Sequence, residues 1–172
     1  MHFYADVPPQ ELYQHMLQDE KNVQERFTFP PDPVEQLLQQ RKHIVEWTVE
    51  VGDKLGQSNL TIHTALTYMD LLLPSEPSLE RPALHLTALT ALLIASKYDE
   101  LDDNIPPVKD FLRAAKSRAA AAFEYSDVIT HEADLLRRLK WDLMVLTPLH
   151  FVHSLAGMGV LFDSDCLSPA ED

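Results

Sequence analysis

The stretch Ala83–Glu100, ALHLTALTALLIASKYDE, decides the fold. Leu84, Leu86, Leu89 and Leu93 fill one helical stripe, and Ala88, Leu92 and Ala95 spill onto the opposite side. A helix that is apolar nearly all round is buried by other helices on every side. At 1.5 Å per residue this one is roughly 27 Å long, about the width of a small domain. It then turns polar at Ser96, Lys97, Tyr98, Asp99 and Glu100. The pattern predicts a buried rod that delivers a lysine and two carboxylates to one surface patch, with the rest of the chain as its jacket.

The jacket reads as helices punctuated by proline. Glycine is scarce (4) and proline plentiful (12), and no alternating strand pattern persists, so the fold class is all-α. Upstream, Ser58 or Asn59 caps a helix that presents Leu60, Ile62, His63, Leu66, Met69 and Leu73 inward. Before it, Val34–Lys54 is a long amphipathic helix stopped by Gly56, with Arg41, Ile44, Val45, Thr48 and Val51 on its inner face. A short helix over Glu11–Asn22 leads the chain, followed by a proline-containing linker. Downstream, Leu101–Ile105 is an acidic loop and Val108–Ala115 a short helix. Ser117–Glu124 reads either as an extension of that helix or as a connector. Ser126 or Asp127 caps a helix running to Lys140, with Val128, Ile129, Leu135, Leu136 and Leu139 inward. Thr147-Pro148 starts a last helix, and a polar, mobile tail is expected from Asp163.

Composition excludes several classes. The chain has 172 residues, one ordinary domain's worth, with 45% hydrophobic and 24% charged residues. A net charge of −13 argues against a nucleic-acid binder, whose footprint is basic. The single cysteine, Cys166, leaves no disulfide framework and no cysteine-based zinc site. No run reads as a membrane span. Neither GxGxxG nor GxxxxGK[ST] is present, nor GxSxG, nor HExxH. His150 and His153 sit three apart without a third ligand nearby, and Asp99, Glu100, Asp102 and Asp103 lack the glycine and spacing of a calcium loop. No metal, no cofactor and no enzymatic constellation is expected. Lys109, Arg113 and Lys116, at i, i+4 and i+7, form a basic stripe in an acidic chain.

Four segments in order resemble the cyclin box, the five-helix domain of the regulatory subunits of cyclin-dependent kinases. They are RKHIVEWTVEVGDKL (41–55), NLTIHTALTYMDLLL (59–73), LHLTALTALLIASKYDE (84–100) and THEADLLRRLKWDLMVLTPLHFV (130–152). FYADVPPQELYQHMLQDE (3–20) is similar to the short helix many cyclins carry before the box. The N-terminal helix and short box are similar to those of cyclin J. The resemblance implies an N-terminal helix and linker over 1–33, a five-helix box over 34–143, and a C-terminal helix and tail over 144–172 that begins a missing second box.

Carried over residue by residue, the resemblance makes Lys97 and Glu132 the kinase-contacting charges, and Tyr98, Leu136, Trp141 and Leu143 their apolar neighbours. Arg41 and Asp70 match an internal ion pair between the first two box helices; a buried pair of that kind would cost ~3–5 kcal/mol to break. Ile44, Trp47, Glu50 and Leu84 fit a patch that docks kinase substrates, though Gln40, His43 and His85 depart from its usual residues, as Leu71 departs from the arginine usual after Asp70. Without the resemblance, Lys97 and Glu132 read as an ordinary surface pair. With it, the expected function is a non-catalytic subunit that binds and activates a cyclin-dependent protein kinase by holding its C-helix in the active placement. Kinase substrates are expected as further partners, and an intracellular location, nuclear or cytoplasmic, is implied. The alternative is a cyclin-fold protein-binding adaptor or transcription-factor-like module that activates no kinase.

Overall fold

The structure, a computed structural model, describes residues 8–26, 35–73, 80–116 and 122–160. The described residues form helices α1 (Pro9–Arg26), α2 (Glu35–Lys54), α3 (Asn59–Leu72), α4 (Arg81–Asp99), α5 (Val108–Ala115), α6 (Tyr125–Arg138) and α7 (Pro148–Gly157). No strand occurs among them. The segments 117–121 and 161–172, and most of the linker before α2, lie outside the described residues.

Helix α4 is the axis. Its residues from Leu84 to Ser96 are buried, Leu86 alone being half-buried. α3 and α6 cover most of it, α2 and α5 close the remaining sides, and α1 rests on α7. Small residues set the approach: Ala88, Ala91 and Ala95 are 0% exposed. Between α2 and α3 the approach is closer still. A Cβ on Gly52 would lie 2.6 Å from Ile62 Cγ1, so no larger residue fits there without displacing a packed isoleucine.

Threonine is common in this interior, and four of its hydroxyls bond within their own helices. Thr48, Thr67, Thr87 and Thr90 each donate to the carbonyl four residues back, at 2.7–2.9 Å. That removes the penalty of a buried, unpaired hydroxyl.

Local signals explain the helix ends. Gly56 at φ +67° closes α2 in the left-handed region, where a side chain is costly. Ser58 Oγ accepts the Thr61 amide and caps α3, and Pro82 sits in the first turn of α4. The cap of α6 falls earlier than Ser126 or Asp127. Glu124 is the N-cap, and its own amide donates to Asp127 Oδ2 at 2.8 Å in a reciprocal box. On α6, Val128, Leu135 and Leu139 are buried and Leu136 half-buried, whereas Ile129, expected inward, is 37% exposed. On α3 the deepest face is Thr61, Ala65, Tyr68 and Leu72, while Leu60, His63 and Leu66 are half-buried.

The Arg41–Asp70 pair forms, with Nε to Oδ1 at 2.6 Å and Nη2 to Oδ2 at 2.7 Å, and it ties α2 to α3. It is not buried: the two side chains are 46% and 40% exposed. Arg41 therefore lies on the rim and not on the inner face. The Asp70 hydrogen bond raises the guanidinium above its ordinary value, against the opposing effect of partial burial. Because water competes for both partners, the cost of a buried pair does not apply. Arg41→Ala should lower stability by about 1 kcal/mol, read as a small shift of the urea midpoint with unchanged m-value.

Candidate partner-binding face

Two helices and the turn after them build this face. At the C-terminal end of α4, Lys97 Nζ meets Glu132 Oε1 of α6 at 2.5 Å, with side chains 46% and 13% exposed. A second contact ties α6 to α4 further up the rod: Thr87 Oγ1 lies 2.9 Å from His131 Nε2. Leu136, one turn beyond Glu132 on the same stripe of α6, is half-buried against the core.

The chain leaves α6 through a turn with two non-glycine residues in the left-handed region, Lys140 (φ 58°) and Trp141 (φ 59°). The Trp141 amide donates to Leu136 O at 2.9 Å and that of Lys140 to Arg137 O at 3.0 Å, which closes the end of the helix. Trp141 emerges 67% exposed and Tyr98 48% exposed. The segment after the turn is pinned from below. Tyr68, itself 0% exposed, donates its hydroxyl to Leu143 O at 2.7 Å, and Leu143 packs half-buried on the core. Burial, then the charge of Asp99, pushes the Tyr68 phenol far above its usual range, so it stays a donor at any physiological pH.

Of the sequence-predicted residues, the structure brings Lys97 of α4 and Glu132 of α6 into contact; Tyr98 follows Lys97 at the end of α4, Leu136 lies one turn beyond Glu132, and Trp141 and Leu143 lie in the segment after α6. Leu101 (77% exposed), three residues after Tyr98, and Met144 (56%), directly after Leu143, are large exposed apolar residues. Neither was marked by the sequence reading. The available signal was an apolar residue bordering an acidic loop or a helix end, where helical periodicity no longer assigns a face.

The two carboxylates after Tyr98 do not join Lys97 on one patch. Glu100 Oε1 accepts the Ser58 amide at 2.8 Å and the Thr61 hydroxyl at 2.6 Å, clamping the start of α3 to the end of α4. Partial burial pushes its pKa up, but these hydrogen bonds outweigh it and hold the group below its ordinary value. Asp99 turns inward. Burial raises its pKa against a hydrogen bond with Thr64 and the field of His150, and its Oδ2 has no partner among the described residues. His150 caps α7, its Nδ1 accepting the Thr147 amide at 3.0 Å, and burial lowers its pKa.

A carboxyl whose folded pKa is raised weakens the fold above the unfolded pKa, and the loss fades as pH falls below both values. Asp99→Asn should therefore raise stability at pH 7 by on the order of 1 kcal/mol, keeping the Thr64 contact while removing the buried charge. The gain should shrink toward pH 3–4. Thermal melts of both proteins across that range check the sign.

The second set of sequence-predicted residues stands differently. Ile44 (0% exposed), Trp47 (2%) and Leu84 (1%) are core residues, so they offer almost no surface to a substrate. The reason is aromatic packing between α2 and α4. The His85 ring stands edge-on to Trp47 at 4.8 Å and to His43 at 5.5 Å, and His85 Nδ1 bonds Arg81 O at 2.7 Å. Glu50 is spent on Lys54, at 2.7 Å. Among the described residues no three His, Cys, Asp or Glu side chains could hold a metal ion. No described helix is long and apolar enough to cross a membrane.

Comparison with known proteins agrees with this architecture. The family model for the cyclin N-terminal domain matches residues 11–144. Cyclin-D of Ostreococcus tauri is 35% identical over 131 residues, 73% of this chain and 33% of the relative. G2/mitotic-specific cyclin-B2 of Homo sapiens is 32% identical over 119 residues, 69% of this chain and 28% of the relative. Cyclin-I2 of Homo sapiens is 30% identical over 129 residues, 75% and 34%. The chain spans about a third of the length of the curated relatives it matches. With α2 to the turn at Trp141 and most of α1 inside the matched region, and a buried α4 at its centre, this chain belongs to the cyclin family.

Proposed function

We propose that this protein is the regulatory subunit of a cyclin-dependent protein kinase and that it activates its partner without supplying catalytic groups. A protein kinase is active only when the glutamate of its C-helix reaches the lysine of the ATP site. A subunit that binds that placement better than the inactive one shifts the population toward it. Moving a 1:99 equilibrium to 99:1 needs about 5.5 kcal/mol of differential binding. An exposed ion pair supplies at most ~1 kcal/mol. Lys97 and Glu132 therefore orient the partner, and the desolvation of Trp141, Tyr98 and the apolar residues beside them supplies most of the energy.

The observation that supports this reading is the Lys97–Glu132 pair bridging α4 and α6, with Tyr98 exposed next to Lys97 in the chain and Trp141 exposed in the turn after α6. The description of cyclin-B2 as G2/mitotic-specific directs the reading toward cell-cycle control, and so toward the nucleus or cytoplasm as the place of action. The test is co-expression with a panel of cyclin-dependent kinases, followed by affinity capture and a peptide-phosphorylation assay. Co-purification with a kinase whose activity rises well above that of the kinase alone is expected. Capture without stimulation would assign the protein to the adaptor class, and failure to capture any member of the panel would overturn the proposal.

A further inference from the structure

The seam between α2 and α4 holds a histidine that the kinase-directed face does not use. His85 is buried in the first half of α4, its ring edge-on to Trp47 and His43 of α2. Its partners fix its tautomer. The Arg81 carbonyl, 2.7 Å from Nδ1, can only accept, so Nδ1 carries the proton. Nε2 then presents a lone pair, and it has no partner among the described residues. A second proton would enter there, in a buried place with no acceptor for it. The groups around the ring do not compensate. His43 of α2 and Arg81 of α4 both act against a second charge. Asp70 of α3 is held by Arg41, Glu50 of α2 by Lys54, and Glu46 of α2 is exposed. From α6, His131 bonds Thr87, two residues further along α4. The seam also holds a second orphan, since Trp47 Nε1 is buried without a partner among the described residues. Water would satisfy both atoms if the seam opened, which returns part of what opening costs in apolar contact.

We propose that His85 is an acid-operated latch on this seam. With the ring neutral, α2 and α4 close over Ile44, Trp47 and Leu84. With the ring charged, the seam parts and these side chains meet solvent as an apolar patch. The sign follows from burial. A histidine that is harder to protonate in the closed form than in the open one favours closure above its ordinary value of about 6.5 and opening below it. Burial pushes His85 below that value, against the pull of its bond to the Arg81 carbonyl, and the fields of His43 and Arg81 add to the depression. α3 and α6 cover most of α4, so the rod keeps its place while α2 lifts. The latch works without a kinase and stands apart from the function proposed above.

Trp47 and Trp141 are the two tryptophans of the chain, so Trp141→Phe leaves Trp47 as the sole reporter in the full chain. Acrylamide quenching of its emission and circular dichroism are followed together from about pH 8 to about pH 5. Weak quenching near neutrality is expected, with a several-fold rise below about pH 6.5 while the helical signal is kept. His85→Gln in the same background takes up no proton and should stay resistant to the quencher across the range. His85→Leu serves in its place if the glutamine variant fails to fold. His150→Gln removes a second histidine whose pKa burial lowers, and it should leave the transition where it is. A transition unchanged by loss of His85, or quenching that stays weak to about pH 5, would overturn the latch. So would exposure that arrives only with loss of helix, or strong quenching at every pH in both His85 variants, which would assign closure to the shape of the ring and not to its charge.

Discussion

Lys97→Glu is expected to weaken capture of the kinase by about 100-fold, with little change in the protein's own stability. On the proposed reading the substitution acts twice. It removes a cation offered to the kinase, and it sets a second carboxylate beside Glu132, which already sits 2.5 Å from the lysine it would lose. Truncating or reversing a hydrogen-bonded charge that becomes desolvated on binding costs roughly 2–5 kcal/mol. The same change in the free protein is mild, because Lys97 is 46% exposed and exposed pairs contribute ~1 kcal/mol or less. Titration calorimetry against the purified kinase gives the first quantity and thermal unfolding the second. The swapped variant Lys97→Glu/Glu132→Lys restores attraction inside the protein but not the polarity presented outward. Its stability should return while its affinity stays low. A variant that unfolds, or one that holds its kinase with wild-type affinity, would remove the role assigned to this pair.

Trp141→Ala is the second large effect. A tryptophan side chain buries 150–250 Å² when covered, and this one stands 67% exposed. At about 25 cal/mol per Å², covering the exposed part contributes on the order of 2–4 kcal/mol. Affinity should therefore fall at least about 30-fold. The left-handed backbone at residues 140 and 141 is closed by the bond from the Trp141 amide to Leu136 O, which alanine keeps. The indole reaches its outward position through the main chain, and so loss of the ring removes contact area without loosening the turn. Stability should change by less than about 0.5 kcal/mol, as at other exposed sites. Leu143→Ala is the contrast: Leu143 is half-buried against the core, so both affinity and stability should drop. A Trp141→Ala affinity within threefold of wild type would contradict the hot-spot assignment.

The sequence exposes its central helix plainly because nothing charged interrupts residues 83–95 and its neighbours are alanine and threonine as often as leucine. Depth was less legible than direction. Periodicity puts Ile44 and Leu84 toward the interior but does not mark Trp47, and it takes the packing of His85 against Trp47 and His43 to show how little of this patch is open to a ligand. Arg41 and Asp70 show the reverse, a pairing recognisable in sequence whose partial exposure depends on what fails to cover it. Asp99 and Glu100 misled because a run of polar residues at a helix end looks uniformly solvated. Their partners Thr64, Ser58 and Thr61 come from another helix, which no local pattern reveals. The start of α6 slipped by two or three residues for a related reason: Glu124, Ser126 and Asp127 can all cap, and the reciprocal Glu124–Asp127 bonds decide among them.

The inward-bonded threonines have a wider consequence. Because Thr48, Thr67, Thr87 and Thr90 each donate to a carbonyl of their own turn, these hydroxyls add little uncompensated polarity to the middle of the bundle, where the buried His85 is the group that acid could charge. The rod's lysine and carboxylates lie where it runs out, at Lys97, Asp99 and Glu100, so a charge brought to that end meets ionised groups that the stretch from Leu84 to Ala95 does not offer.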